Sequence, residues 1–231
     1  MPHGYDQFGW LSVPVRCAAM SEPTSAVVVP VKAFRAAKVR LAGTLDPEAR
    51  ADLARRMAEV VLAAAAPLPV VVVCDDDDVR EWARAAGARV VWCPGRGLNG
   101  AVADGVAALR SDGVATAIVA HADLPLATRL DWLATFAGVT LVPDRRLDGT
   151  NVLAVPTAAG FRFSYGAGSF ARHRAEAAAH DLPARIVRDE RLAWDVDVPG
   201  DLAWPTATDA PAHPGGGVPE VIGSIPRSPR S

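Results

Sequence analysis

Hydrophobic runs alternate with amphipathic, Ala- and Arg-rich stretches through most of the chain. The short Val-rich runs are typical of strands buried on both faces, and the longer stretches between them have helical periodicity. We predict strands at 26–31, 69–73, 89–92, 116–120, 139–142, 150–156, 184–187 and 192–198. We predict helices at 47–65, 77–86, 99–110, 130–136, 169–180 and, short, from 199. This alternation predicts a three-layer α/β/α fold around a mostly parallel sheet.

The two ends of the chain differ from this middle region. From Pro205 onward Pro, Gly, Ser and Thr dominate, which predicts a disordered tail. Segment 1–24 lacks the charged start and apolar core of a signal peptide, so we interpret it as a disordered extension, with Met20 as an alternative start. The expected organisation is a single domain at 25–204, flanked by segments 1–24 and 205–231.

Composition narrows the function classes. The chain has 231 residues, 50% of them hydrophobic and 22% charged, with a net charge of -2. That charge argues against a nucleic-acid partner, and no apolar run approaches the roughly 18 residues of a membrane helix. The three cysteines have no metal-ligand spacing and fit a reducing compartment. We therefore expect a cytoplasmic protein that binds neither nucleic acid nor membrane, and the oligomeric state is left open.

Two lysines follow the first predicted strand. They are Lys32 and Lys38, and the other 22 of the 24 basic residues are arginines. Lysine offers a compact point charge where arginine offers a planar fork, and a point charge suits contact with a polyphosphate. From position alone, two solvated surface residues are an equal alternative. The segment has neither GxxxxGK[ST] nor GxGxxG, so it is not one of the common phosphate-binding loops.

Carboxylates follow two other predicted strands, at the sheet edge where ligands bind in open parallel sheets. Asp123 is placed either to bind Mg²⁺ together with substrate phosphates or to cap the next helix. Asp195 and Asp197 alternate, which puts both on one face of a strand, where they repel each other unless a cation lies between them. A solvated edge strand is the alternative for this pair. We expect the acidic run 75–78 to cap a helix and stay solvated.

Two glycine-rich turns open predicted helices. The turn 95–101 suits recognition of a base or ribose, or is a plain connection. The turn 165–170 presents amides and the Ser169 hydroxyl, which suit an anion. Three residues of the helix that follows either reinforce this anion site or form its exposed face: Arg172, His173 and Arg174. HExxH, HxxxH and GxSxG spacings are absent from the sequence, which disfavours zinc and serine-hydrolase chemistry.

Six segments, in this order, resemble the 2-phospholactate/phosphoenolpyruvate guanylyltransferases of deazaflavin coenzyme F-420 biosynthesis. They are VVPVKAFRAAKVRLAG, GLNGAVADGV, HADLP, DGTNVLAVP, YGAGSFARHRAEA and WDVDVPGDL. The resemblance covers residues 25–202, and the GTN and GxGSFxxHR patterns favour this family over the wider fold. It implies a MobA-like nucleotidyltransferase fold, which is GT-A-like and belongs to the nucleotide-diphospho-sugar transferase superfamily.

The resemblance implies transfer of GMP from GTP to the phosphate of a small carboxylic acid, with release of diphosphate. It implies that Lys32, Lys38 and Asp123 are catalytic and that both lysines bind the triphosphate. Asp123 and Asp197 would hold Mg²⁺, with Asp195 in support. Two sets of binding residues are also implied: Leu98 and Asn99 for the nucleotide, and Thr150, Gly166 and Ser169 for the acceptor.

The acceptor and the reaction class have alternatives. The Arg- and Ala-rich composition indicates a high-GC source, in which the family is usually assigned to phosphoenolpyruvate, but 2-phospho-L-lactate and 3-phospho-D-glycerate differ little from it. A nucleotide-sugar glycosyltransferase would usually show DxD where His121 stands before Asp123. A non-catalytic nucleotide-binding regulator is disfavoured because both lysines and both acidic sites are present.

Overall fold

An eight-stranded sheet organises the chain in the computed structural model, which describes residues 24–203 and 220–225. The strands are β1 (Ser25–Pro30), β2 (Val70–Cys74), β3 (Arg89–Trp92), β4 (Thr116–Ala120), β5 (Val139–Pro143), β6 (Thr150–Pro156), β7 (Ala184–Arg188) and β8 (Glu220–Ile225). Their order is β3-β2-β1-β4-β6-β5-β7-β8. All of them except β6 and β8 run in one direction, so the prediction of a mostly parallel sheet is confirmed.

Helices cover both faces of this sheet. They are α1 (Pro47–Ala64), α2 (Asp77–Ala85), α3 (Gly97–Ser111) and α4 (Ser169–Ala179), with shorter 3-10 helices that include Asp131–Thr135 and Pro199–Leu202. Val27 and Val29 of β1 pack in one buried cluster with α1 and α2, whereas Val28 packs in another with α3 and α4. Because successive strand residues point to opposite faces, these two clusters give the predicted three layers.

Side-chain caps fix where two helices begin. The Asp46 carboxylate accepts a hydrogen bond from the backbone of Ala49 at 2.8 Å, and Pro47 takes the first helical position of α1. Asp76 caps α2 by accepting from the backbone of Val79 at 3.2 Å. The acidic run 75–78 therefore caps a helix, as predicted.

Two of the sequence predictions are wrong. The segment 192–198 forms a turn and irregular chain, because the Asp201 side chain bonds the backbone N–H groups of Asp197 and Val198 that a strand would give to a neighbour. In the tail predicted to be disordered, 220–225 forms β8, antiparallel to β7. The segment 220–225 contains Val and Ile, but the tail around it is rich in Pro and Gly. The strand was missed because the prediction used the composition of the whole tail.

The other parts of the two end segments, 1–23 and the tail on either side of β8, lie outside the described residues. The domain boundaries therefore stay a prediction. Within 24–203 and 220–225, no helix is long and apolar enough to cross a membrane.

Candidate active site

The order of the strands brings the predicted lysine and carboxylate together. β1 and β4 are parallel neighbours, so the segments that follow them leave the sheet at the same edge. Lys38 lies between two 3-10 turns after β1, and its Nζ is 2.6 Å from Asp123 Oδ2, just beyond β4. The same Nζ is 3.3 Å from Asp197 Oδ1, so three residues that are far apart in the sequence form one cluster.

Lys38 is held as a charged group inside this cluster. Its side chain is only 10% exposed. Burial lowers the pKa of Lys38, but the Asp123 and Asp197 carboxylates outweigh it, and the pKa lies above its ordinary value. Burial likewise acts to raise the pKa of Asp123, yet Lys38 and then His121 hold it below its usual range. The lysine and the aspartate therefore form a buried ion pair at neutral pH.

Asp195 ionises less readily than an ordinary aspartate, because its pKa is raised. Burial raises its pKa first, and the neighbouring charges of Asp123 and Asp197 raise it further. The prediction that Asp195 and Asp197 share one face of a strand is wrong, because the chain there is irregular. Both carboxylates still come close to Asp123, because the chain returns across the sheet edge and Val196 donates its backbone N–H to the carbonyl of Asp123.

A cavity of about 380 Å³ opens over the ion pair. Five of the predicted site residues line it: Lys32, Lys38, Leu98, Asp123 and Asp197. Lys32 is exposed, and Arg40, also in the lining, places its guanidinium 3.5 Å from Asp197. Three cationic side chains and two carboxylates thus line one cavity, an arrangement that suits an anionic ligand bound together with a cation.

Asn99 has a different position from that of Leu98. It is not part of the cavity lining, and its amide oxygen accepts a 2.6 Å hydrogen bond from the backbone of Tyr165. The start of α3 thereby holds the second glycine-rich turn in place. A nucleotide contact by Asn99 stays a prediction.

The three predicted acceptor residues lie together around the start of α4. The Ser169 hydroxyl accepts a hydrogen bond from the backbone of Thr150 at 3.0 Å, and both residues are buried. Gly166 is exposed and has a φ of 115°, a conformation that side chains rarely adopt, and its carbonyl accepts from the backbone of Ser169. The structure thus brings this set together as a turn braced against β6.

His173 and Arg172 brace this turn. His173 is 0% exposed, so it does not belong to an exposed helix face. Its Nε2 accepts from the backbone of Ser164, which leaves the proton on Nδ1 to donate to the Thr150 hydroxyl at 3.0 Å. Arg172 is exposed, and its guanidinium donates hydrogen bonds to the carbonyls of Ser164, Gly166 and Ala167. Both side chains position the turn.

His121 and Tyr165 connect the two halves of the site, and the sequence argument did not identify this link. The His121 and Tyr165 rings lie 4.9 Å apart, and the Tyr165 and His173 rings meet edge-on at 4.8 Å. A row of rings therefore runs from the end of β4 to the start of α4. Both HADLP and YGAGSF contain a member of this row, but His121 and Tyr165 have 43 residues between them, so the contact is not visible in the sequence.

Asp201 and Arg145 hold the segment that carries Asp197. The buried Asp201 carboxylate, 4% exposed, accepts from the backbone of Asp197 at 2.8 Å and of Val198 at 2.9 Å. Arg145 donates to its other oxygen at 2.7 Å and lies 3.8 Å from the centroid of the Trp194 ring. From the sequence, only a short helix from residue 199 was predicted here, and neither Asp201 nor Arg145 was identified.

Comparisons with known proteins find a family model and relatives that match this chain. Residues 25–204 match the family model described as "Guanylyl transferase CofC like". A phosphoenolpyruvate guanylyltransferase of Sphaerobacter thermophilus is 38% identical over 78% of this chain and 91% of its own length. One of Chloroflexus aggregans is 34% identical over 80% of this chain and 98% of its own.

Among solved structures, a protein of Desulfovibrio desulfuricans G20, described as a nucleotide-diphospho-sugar transferase, is similar in fold. The TM-score is 0.62 at 18% identity, over 78% of this chain and 85% of that one. This similarity confirms the predicted fold class. The family match and the two relatives go further, and the chain belongs to the CofC-like guanylyl transferase family of nucleotidyltransferases.

Proposed function

We propose that this protein transfers GMP from GTP to phosphoenolpyruvate, releasing diphosphate and forming enolpyruvyl-diphospho-guanosine for coenzyme F-420 biosynthesis. The relatives named phosphoenolpyruvate guanylyltransferase support the choice of acceptor. The observation that carries the proposal is the Lys38 ammonium between Asp123 and Asp197, at a cavity that Lys32 and Arg40 also line. Such a site suits a triphosphate together with a cation.

The carboxylates fit Mg²⁺ as the cation. Asp123 Oδ1 is buried without a hydrogen-bond partner among the described residues, so an acceptor oxygen is left for a further ligand. Within 24–203 no three His, Cys, Asp or Glu side chains are grouped closely enough to hold a metal alone. Mg²⁺ commonly takes one or two carboxylates and completes its shell with substrate phosphates and water. Asp123 and Asp197 would hold it, with Asp195 in support, and the bound ion would orient and neutralise phosphate oxygens.

The two lysines would bind the triphosphate. Lys38 keeps its proton, because the carboxylates hold its pKa above the ordinary value despite burial, and Lys32 lies at the exposed rim. An oxygen of the acceptor phosphate attacks the α-phosphorus of GTP as the bond to the β-phosphate oxygen breaks. Negative charge then moves toward the leaving diphosphate, where an ammonium stabilises it. The attacking oxygen is already ionised at neutral pH, so no general base is required.

Thr150, Gly166 and Ser169 would bind the acceptor. The Ser169 hydroxyl accepts from a backbone N–H, and the Thr150 hydroxyl accepts from His173. Each hydroxyl therefore retains its own proton to donate to an anionic oxygen. A phosphate or carboxylate is the ligand that such a pair of donors suits.

We also assign the protein to the cytoplasm. Cys74 and Cys93 are buried and form no disulfide within the described residues, which fits a reducing compartment. A small anionic acceptor and GTP are the expected partners, and nucleic acid and membranes are not.

The proposal is tested by incubating the protein with Mg²⁺, GTP and each of the three phosphorylated acids, while diphosphate release is measured. We expect release with phosphoenolpyruvate. Asp123→Asn should lower turnover by about 100-fold or more, because it removes a charge that holds both Lys38 and the metal. Asp112→Asn, which breaks only an exposed pair with Arg89, is the matched control and should stay active. No diphosphate release with any acid by the folded wild type would refute the proposal.

A further inference from the structure

Buried polar atoms without a partner gather at one place in the structure. Among residues 24–203, five buried side-chain atoms lack a hydrogen bond, and three of them belong to His121, Asp123 and Tyr165. A buried donor or acceptor left unpaired costs about 1–3 kcal/mol, so native proteins keep few of them. Three at one end of β4 indicate that a ligand completes the hydrogen bonds there.

His121 is the member of this group whose direction is best fixed. It lines the cavity, and its backbone N–H donates to the carbonyl of Asn151 at 3.0 Å. Its ring packs against Tyr165 at 4.9 Å, and Tyr165 is itself held by Asn99. The ring is therefore braced while its Nε2 stays buried and unpaired among the described residues.

We propose that His121 is an additional acceptor-binding residue, whose Nε2–H donates a hydrogen bond to an oxygen of the acceptor phosphate. The inference rests on the proposed guanylyl transfer and adds a residue to it. The acceptor phosphate must lie near Asp123 to attack and near the Ser169 turn to be held. His121 lies two residues before Asp123 in the sequence. Its ring also contacts Tyr165, which belongs to the turn that contains Ser169.

The proposal would place the acceptor phosphate beside His121, in the same cavity that Lys32, Lys38 and Leu98 line. The row of rings also connects His121 to the turn that precedes α4. A hydrogen bond from a braced ring also directs the attacking phosphate, which is how positioning residues reduce the entropy cost of the reaction.

Two substitutions test which ring nitrogen matters. The Gln amide nitrogen reaches close to the Nε2 position of His, whereas the Asn amide nitrogen reaches only the Nδ1 position. We would measure the Kd of phosphoenolpyruvate by calorimetry, with Mg²⁺ and the α,β-methylene analogue of GTP present so that no turnover occurs. We would also measure KM for both substrates, with thermal unfolding as the folding control.

His121→Asn should weaken phosphoenolpyruvate binding roughly 10- to 100-fold, the effect of one hydrogen bond to a charged group. The KM for GTP should change by less than about twofold, since the proposed bond is absent from the nucleotide complex. His121→Gln should recover most of the lost affinity, because it restores a donor near Nε2.

Several results would overturn the inference. Wild-type affinity in both variants would show that Nε2 makes no contact with the acceptor. Equal losses in both would mean that the ring matters only for packing on Tyr165. A rise in the KM for GTP instead would place His121 on the nucleotide. If the wild type itself fails to use or bind phosphoenolpyruvate, the proposed function is wrong and this inference falls with it.

Discussion

Replacing Lys38 separates its contribution to folding from its contribution to chemistry. Lys38→Met keeps most of the apolar stem and removes the charge, whereas Lys38→Arg keeps a charge but spreads its donors over a planar fork. In the structure a single nitrogen lies 2.6 Å from Asp123 and 3.3 Å from Asp197. Comparing the two variants therefore shows whether the site needs any positive charge or specifically the compact ammonium of lysine.

The expected stability loss follows from burial. Removing one partner of a buried ion pair costs about 3–5 kcal/mol, because the other charge is left buried and unpaired. Asp197 is 41% exposed, and its contact adds at most about 1 kcal/mol. Lys38→Met should therefore lose about 3–5 kcal/mol, which for a domain of this size lowers Tm by roughly 6–20 °C. Lys38→Arg keeps an ion pair and should lose about 1 kcal/mol or less.

Activity should follow a different order from stability. Both variants should lose kcat/KM, Lys38→Met by about 100- to 1,000-fold and Lys38→Arg by at least about 10-fold, since the compact charge no longer meets the triphosphate. Thermal unfolding and diphosphate release measure the two effects. Lys32→Met is the matched control, because Lys32 is exposed and should affect the KM for GTP without changing Tm.

Mg²⁺ without nucleotide adds a readout that is independent of turnover. In Lys38→Met the carboxylates have lost their ammonium, so Mg²⁺ should raise Tm more than it does in the wild type. An unchanged Tm in Lys38→Met would refute the stabilising ion pair. Full activity in Lys38→Arg would refute the argument that this position needs lysine.

Two further predictions concern residues that brace the site. Burial lowers the pKa of His173 to about 4 from an ordinary value of 6.5. Between these two pH values, therefore, the histidine is protonated in the unfolded chain and neutral in the native protein. The stability that neutral His173 contributes is fully present above pH 6.5, and about 3 kcal/mol of it should be lost as the pH falls to 4. Urea unfolding at several pH values would measure this loss, and His173→Asn should remove the pH dependence. Asp201→Asn should weaken Mn²⁺ binding about 10-fold in an electron paramagnetic resonance titration, because Asp197 loses its anchor. Wild-type Mn²⁺ affinity in that variant would show that Asp201 supports only the fold.

The sheet and the sequence positions of the Lys38 and Asp123 site could be predicted because their signals are local. Runs such as 70–74 and 116–120 are apolar on both faces, which predicts buried parallel strands. Residues after such strands collect at one edge, so the end of each run marks a candidate site residue. Lys38 and Asp123 are 85 residues apart and were still assigned to the same site.

Long-range contacts could not be predicted in the same way. Trp194, Val196 and Val198 alternate with two aspartates like the residues of a strand. Asp201, outside that window, accepts hydrogen bonds from the backbone N–H groups that a strand would need. His173 looked like part of a helix's polar face and is instead enclosed by Phe161 and Tyr165. In each case the deciding partner comes from another element, and no period along the chain reveals it.

The backbone at Lys38 gives a reason why the ion pair and the chemistry belong together. Lys38 has a φ of 54° and a ψ of 38°, a left-handed conformation that costs a non-glycine residue about 1–2 kcal/mol. The buried pair with Asp123 offsets that strain while the ammonium stays in place. In the proposed reaction, an incoming phosphate would replace the carboxylates as the partner of this nitrogen, and Asp123 and Asp197 would then be free to hold a metal. By this proposal Lys38 would neutralise the carboxylates before the substrates bind and would contact the triphosphate afterwards.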